Sequence, residues 1–96
     1  MSTDQTKVCT AAPIMLYPEY MHGMPSSELV KTARRFRSHI GVSSSAEGPW
    51  SDGKSIPDVM ELKHPEGKPL YIRAEGDDAD TAIAALVETV ERFFSL

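Results

Sequence analysis

From Ile83 onward, apolar residues recur three or four places apart: Ile83, Leu86, Val87, Val90 and Phe94. That spacing lines all of them along one face of a helix. It is the strongest periodic signal in the chain. A helix that is apolar on one face only must bury that face against a second layer. With 96 residues the chain has room for a single modest core, so the rest of the sequence must supply the layer.

Strand signals supply it. Leu70 to Glu75 alternates, with Leu70, Ile72 and Ala74 on one face and Tyr71, Arg73 and Glu75 on the other. His39 to Ser45 alternates in the same way around Ile40 and Val42. Ala11 to Tyr17 is expected as the first strand, with Pro13 near its start, and residues 1–10 are expected to be a flexible extension. The turn-rich stretch Ala46 to Gly53 holds a short third strand near Trp50, whose side chain either forms an exposed contact or folds back. Between these lie two further helices. One runs from Met24 to Arg37 on a stripe of Leu29, Val30, Ala33 and Phe36, with Arg34, Arg35 and Arg37 at its basic end. The other is short, within Lys54 to Leu62. The order is β, α, β, β, short α, β, α. The economical solution is α+β: an antiparallel sheet of four strands with the helices packed on one side, residues 11–96 forming one domain.

Composition narrows the function. A formal charge of −4 argues against nucleic acid as the main partner. No apolar run approaches membrane-spanning length, and Met1 to Lys7 lacks the apolar core of a secretory signal. Cys9, the lone cysteine, has no internal disulfide partner and fits a reducing cytoplasm. The acidic run Asp77, Asp78 and Asp80 opens the last helix, where carboxylates match the dipole and cap free N–H groups; no metal or cofactor is expected there.

Two places carry chemistry. His22 stands just before Gly23, Met24 and Pro25, and proline suits the first turn of a helix. The histidine is thereby placed at a helix N-terminus, whose unpaired N–H groups and partial positive charge favour an anion. A phosphoryl group on a ring nitrogen fits that place; a surface histidine near a cap is the plainer alternative. The second place is Ser55, followed by Pro57, as the cap of the short helix. Ile56, Val59, Met60 and Leu62 cannot all fit beneath so short a helix, which leaves a sticky patch beside Ser55.

These residues make the chain resemble the HPr family, the histidine-containing phosphocarriers of the bacterial phosphoenolpyruvate:sugar phosphotransferase system. Tyr17-Pro18-Glu19-Tyr20-Met21-His22-Gly23-Met24-Pro25 is similar to the family's active-site loop, with Pro18, His22 and Pro25 in register. Lys54-Ser55-Ile56-Pro57-Asp58-Val59-Met60-Glu61-Leu62 is similar to its regulatory-serine segment, and Ala74-Glu75-Gly76-Asp77-Asp78 to its last strand-to-helix junction. Differences accompany the likeness. Met24 stands where the family has an arginine, Glu19 and Tyr20 where it has small or neutral residues, Pro57 where it has a large apolar residue, and the Ser45–Trp50 loop carries a short insertion.

The resemblance implies an open-faced β-sandwich, a four-stranded antiparallel sheet covered by three helices. It implies that His22 accepts a phosphoryl group from enzyme I and passes it to sugar-specific IIA components, held by the backbone amides of Gly23 and Met24. It implies Ser55 as the target of an HPr kinase/phosphorylase, with Ile56, Pro57 and Met60 docking partners such as a transcriptional regulator. A cytoplasmic monomer goes with this reading. A second reading is a regulatory binding module of the same fold that works through Ser55 with His22 idle. An independent enzyme is disfavoured, because no second acid, base or metal cluster accompanies His22.

Overall fold

The computed structural model describes residues 7–16, 23–62, 64–65 and 67–94, with residues 23–25 described by their backbone. The elements in chain order are β1 (Lys7–Ala11), α1 (Gly23–Ala33), β2 (His39–Ser43), β3 (Ser51–Asp52), α2 (Ile56–Glu61), β4 (Tyr71–Gly76) and α3 (Ala79–Phe93). The four strands form one sheet in the order β1-β4-β2-β3 with every neighbouring pair antiparallel. This is the α+β architecture expected from the sequence. The last strand therefore lies between the first two, pairing Cys9 with Ala74 on one side and Ile40 with Ala74 on the other.

The pleat sorts β4 as its alternation requires. Leu70, Ile72 and Ala74 are fully buried, while Tyr71, Arg73 and Glu75 are half-buried on the other face. Ile40 and Val42 of β2 join the buried side. Against them lies α3, burying Ala79, Ala82, Leu86 and Val90, with Ile83 packed at the margin of the core. α1 adds Leu29, Val30 and Ala33. Where α1 meets α3, the hydroxyls of Thr32 and Thr89 are 2.9 Å apart, and Thr89 donates to the Ala85 carbonyl. These polar groups are buried yet paired, so they fix the helix–helix register without a desolvation penalty.

The first strand is not where the sequence was expected to put it. It spans Lys7–Ala11, with Lys7 to Thr10 in the stretch expected to be loose, and shares only Ala11 with the expected Ala11 to Tyr17. Pro13 has no N–H to give a ladder. Beyond it the chain makes an isolated bridge from Ile14 to Pro69 and otherwise runs irregularly beside residues 67–70. Met15 donates to the Lys68 carbonyl, Leu16 to the Phe94 carbonyl, and the Met15 side chain closes the end of the core at 1% exposure. Tyr17, the far end of the expected strand, lies outside the described residues.

α1 also stops earlier than expected, at Ala33 instead of Arg37. The Arg35 and Phe36 amides bond three residues back, to Thr32 and Ala33, tightening the last turn. The next two amides, of Arg37 and Ser38, are taken by the Asp78 carboxylate, at 2.9 and 3.0 Å. β2 ends at Ser43 rather than Ser45 because the Ser43 hydroxyl accepts from the Ser45 amide, turning the chain. Trp50 folds back. A Cβ on Gly41 would lie 3.3 Å from its side chain, so the indole covers the bare backbone at the centre of β2.

The acidic run at α3 works differently from the expected capping. Asp78 precedes α3 but makes no side-chain cap bond. It accepts from the Ser38 hydroxyl and from the Arg37 and Ser38 amides, tying the α1–β2 junction to the β4–α3 junction. Gly76 permits this closeness: at φ 153° it takes a backbone conformation that side-chain-bearing residues avoid, and a Cβ there would meet the Ser38 hydroxyl at 2.6 Å. Asp80 accepts from Lys7 Nζ at 2.9 Å and from the Cys9 thiol at 2.6 Å, fastening β1 to α3.

These bonds set a pH dependence. The Ser38 hydroxyl, then the Arg37 amide, hold the Asp78 carboxyl below the ordinary aspartate value. The Cys9 thiol, then Lys7, do the same for Asp80. A carboxyl whose pKa is lowered on folding stabilises the fold above its unfolded value of about 3.9 and loses that contribution as pH falls through the folded value. The urea midpoint is therefore expected to drop as pH falls below about 4. Asp78→Asn is expected to lower the midpoint at pH 7 and to flatten that acid limb, checked by urea titrations between about pH 3 and 7. An unchanged acid limb in Asp78→Asn would remove Asp78 as its cause.

Candidate functional site

His22 itself lies outside the described residues. What is described is the element that follows it. α1 begins at Gly23, the next residue, and carries no acidic side chain in its first turn. The first amides of a helix have no intrahelical partner; Gly23 and Met24 are the first residues of α1, and Pro25 has no N–H. Eleven residues of α1 stand behind this end, with Leu29 and Val30 anchoring it in the core.

Ser55 is the N-cap of α2, as its sequence position suggests. Its backbone is extended, at φ −118° and ψ 115°, and its hydroxyl accepts from the Asp58 amide at 3.4 Å. Pro57 occupies the first turn of α2, where a missing N–H costs nothing. One turn of contact with the core cannot cover four apolar residues. Val59 is buried, Ile56 and Leu62 are half-buried against the core, and Met60 is 55% exposed. Pro57 and Met60 thus form the exposed part of the expected docking patch, with Ile56 at its base.

Two reciprocal bonds fasten the Ser55 turn to the end of α1. Arg34 Nε donates to the Lys54 carbonyl at 2.9 Å, and Lys54 Nζ donates to the Phe36 carbonyl at 2.6 Å. Asp52 shapes the turn from the other side: its carboxylate accepts from the Lys54 amide and its carbonyl from the Ser55 amide. Arg35 sits over the Phe36 ring, 5.5 Å from its centroid. The cluster of arginines that the sequence offers as one basic surface is thereby divided between separate contacts.

The other histidines do not build a site on the described residues. His39 is exposed in β2 opposite Glu75, and His64 Nε2 lies 2.8 Å from the Lys68 carbonyl. Among the described residues no three His, Cys, Asp or Glu side chains are grouped to hold a metal ion. Sequence reading missed the clamp between Arg34 and Lys54. Its only sequence signal is a pair of cations at the ends of two adjoining elements, too common a pattern to mark a contact across twenty positions.

Comparison with known proteins agrees with this fold. The family model PTS-HPr, described as "PTS HPr component phosphorylation site", matches residues 16–92. The phosphocarrier protein HPr of Borreliella burgdorferi is 37% identical over 73 residues, covering 76% of this chain and 83% of that protein. A solved Mycoplasma histidine-containing phosphocarrier protein superposes with a TM-score of 0.79 at 29% identity, covering 92% of this chain and all of that one. Crh, a catabolite-repression protein of Bacillus subtilis, matches with a TM-score of 0.67 at 26% identity, over 75% of this chain and 80% of its own. An open antiparallel sheet under three helices, with a histidine before α1 and a capping serine before α2, thus occurs here in a chain that belongs to the HPr family of phosphocarrier proteins.

Proposed function

We propose that this chain carries a phosphoryl group on His22, receiving it from enzyme I and passing it to sugar-specific IIA components. The observation that carries the reading is the start of α1: the helix opens on the residue after His22, free of first-turn carboxylates. In this reading the Gly23 and Met24 amides hold the phosphate oxygens. An N–P bond forms on the imidazole as the bond to the donor breaks, and the reverse exchange delivers the group onward. The resulting phosphoramidate is a carried group, so the chain acts as a carrier rather than as an enzyme. Ser55 is the regulatory site in this reading. An ATP-dependent kinase joins the γ-phosphoryl group to its Oγ, with ADP leaving, and places about two negative charges beside the Ile56–Met60 patch.

Met24 favours keeping a second reading. An arginine there would give charge-assisted bonds to phosphate that methionine does not provide. A regulatory module of the same fold, working through Ser55 with His22 idle, accommodates that substitution.

The deciding experiment is intact-mass analysis with site mapping after incubation with phosphoenolpyruvate and enzyme I, and separately with ATP and HPr kinase. Acid-labile phosphate on His22 is expected. Phosphate confined to Ser55 and stable to acid would transfer the conclusion to the regulatory module. Met24→Arg is expected to speed acceptance from enzyme I by about tenfold, the kinetic equivalent of about one charge-assisted hydrogen bond. An unchanged rate in a rapid-quench measurement would mean that the backbone amides suffice.

A further inference from the structure

We propose that Arg34 is the intramolecular receptor for a phosphoryl group on Ser55, leaving the Lys54 carbonyl to pair with it. This rests on the regulatory part of the function proposed above.

The carbonyl that Arg34 holds belongs to the peptide bond immediately before Ser55. Covalent geometry therefore places Ser55 Oγ within about 8 Å of Arg34 Nε. A phosphoryl group extends outward from that oxygen, and the guanidinium extends beyond Nε, so the two groups can meet without moving either backbone.

The surroundings of Ser55 make a cation necessary. Asp52 accepts from the amides on both sides of the Lys54–Ser55 junction, one with its carboxylate and one with its carbonyl. Asp58 stands in the first turn of α2, and its amide already serves the Ser55 hydroxyl. A dianion placed beside two carboxylates gains little from a helix of only six residues whose first turn is acidic.

Among the described residues beside Ser55, Arg34 is the cation best placed to answer. Lys54 Nζ is held at 2.6 Å by the Phe36 carbonyl in a partly buried setting, and Arg35 lies over the Phe36 ring. Arg34 is exposed, and its present acceptor is a neutral carbonyl. A phosphate is the better acceptor, since charge-assisted bonds are roughly twice as strong as neutral ones and a guanidinium engages phosphate with two N–H groups. The exchange removes one of the two bonds that fasten the Ser55 turn to α1, so a modification at Ser55 is registered at the end of the helix that His22 precedes.

The test installs phosphoserine at position 55 by genetic encoding in the full chain and follows its second ionisation by phosphorus NMR. With Arg34 present the pKa is expected below the ordinary value of about 6. Arg34→Gln is expected to raise it by about half a unit or more, while Arg35→Gln leaves it in place. The Arg34 Nε–H resonance is expected to titrate with the phosphate. No rise in Arg34→Gln, an equal rise in Arg35→Gln, or an Nε–H resonance indifferent to the phosphate would each overturn the assignment. The encoded phosphoserine needs no kinase. Failure of HPr kinase to modify the native Ser55 would instead remove the regulatory reading, and the two failures are distinguishable.

Discussion

Phe94→Ala is expected to destabilise the fold by about 3–5 kcal/mol, the range for emptying a buried phenylalanine site. Phe94 is 1% exposed and heads the fully buried side chains by volume. It sits at the C-cap of α3, where its amide bonds to the Val90 carbonyl and its own carbonyl accepts from Leu16. The ring therefore fills the end of the core at the place where α3 and the segment after β1 converge. That convergence leaves little freedom for neighbours to collapse into the space, which puts the cost toward the upper part of the range. Domains of this size have about 5–15 kcal/mol in all, so the variant should be marginal. The melting temperature is expected to fall by about 15–30 °C, read by circular dichroism. A loss near 1 kcal/mol would mean that the site is not closed.

His22→Ala is expected to abolish acid-labile phosphorylation by enzyme I while leaving the melting temperature within a few degrees of the parent. Removing the imidazole removes the nitrogen that forms the N–P bond, and the three residues that follow it, Gly23, Met24 and Pro25, carry no nucleophile to replace it. Acid-stable phosphorylation of Ser55 by HPr kinase should persist, because α2 is fastened through Arg34 and Lys54 at the other end of α1. Acid-labile phosphate on the variant would move the carrier role away from His22.

Much of the fold is legible in the sequence wherever one element sets its own pattern. The alternation of Leu70, Ile72 and Ala74 and the stripe through Leu86 and Val90 mark buried faces directly, and all five are buried. The first strand is misread because apolar bulk and sheet pairing part company there. Ile14, Met15 and Leu16 are the more apolar run, yet the ladder belongs to Lys7–Ala11. An edge strand needs one buried face only, and Cys9 and Ala11, small and half-buried, are enough. Asp78 shows a different limit. As a helix-opening acid it has an ordinary local explanation, while its partners lie some forty positions away. Of the candidate site, the cap at Ser55 is readable from local spacing. His22 gains its meaning from the loop motif as a whole, and the Arg34–Lys54 clamp from the tertiary structure.

The strand order has a consequence for how the chain is made. β1 and β2 are not neighbours; β4 lies between them, and it is the last strand to leave the ribosome. Until Tyr71–Gly76 has emerged, β1 has nothing to pair with and β2 has only the two residues of β3. The sheet therefore zips shut in one event once β4 is made, with the long-range pairing that slows folding concentrated there. A nascent chain stalled before that point exposes two unpaired ribbon edges, the form most open to capture by chaperones or by other nascent chains.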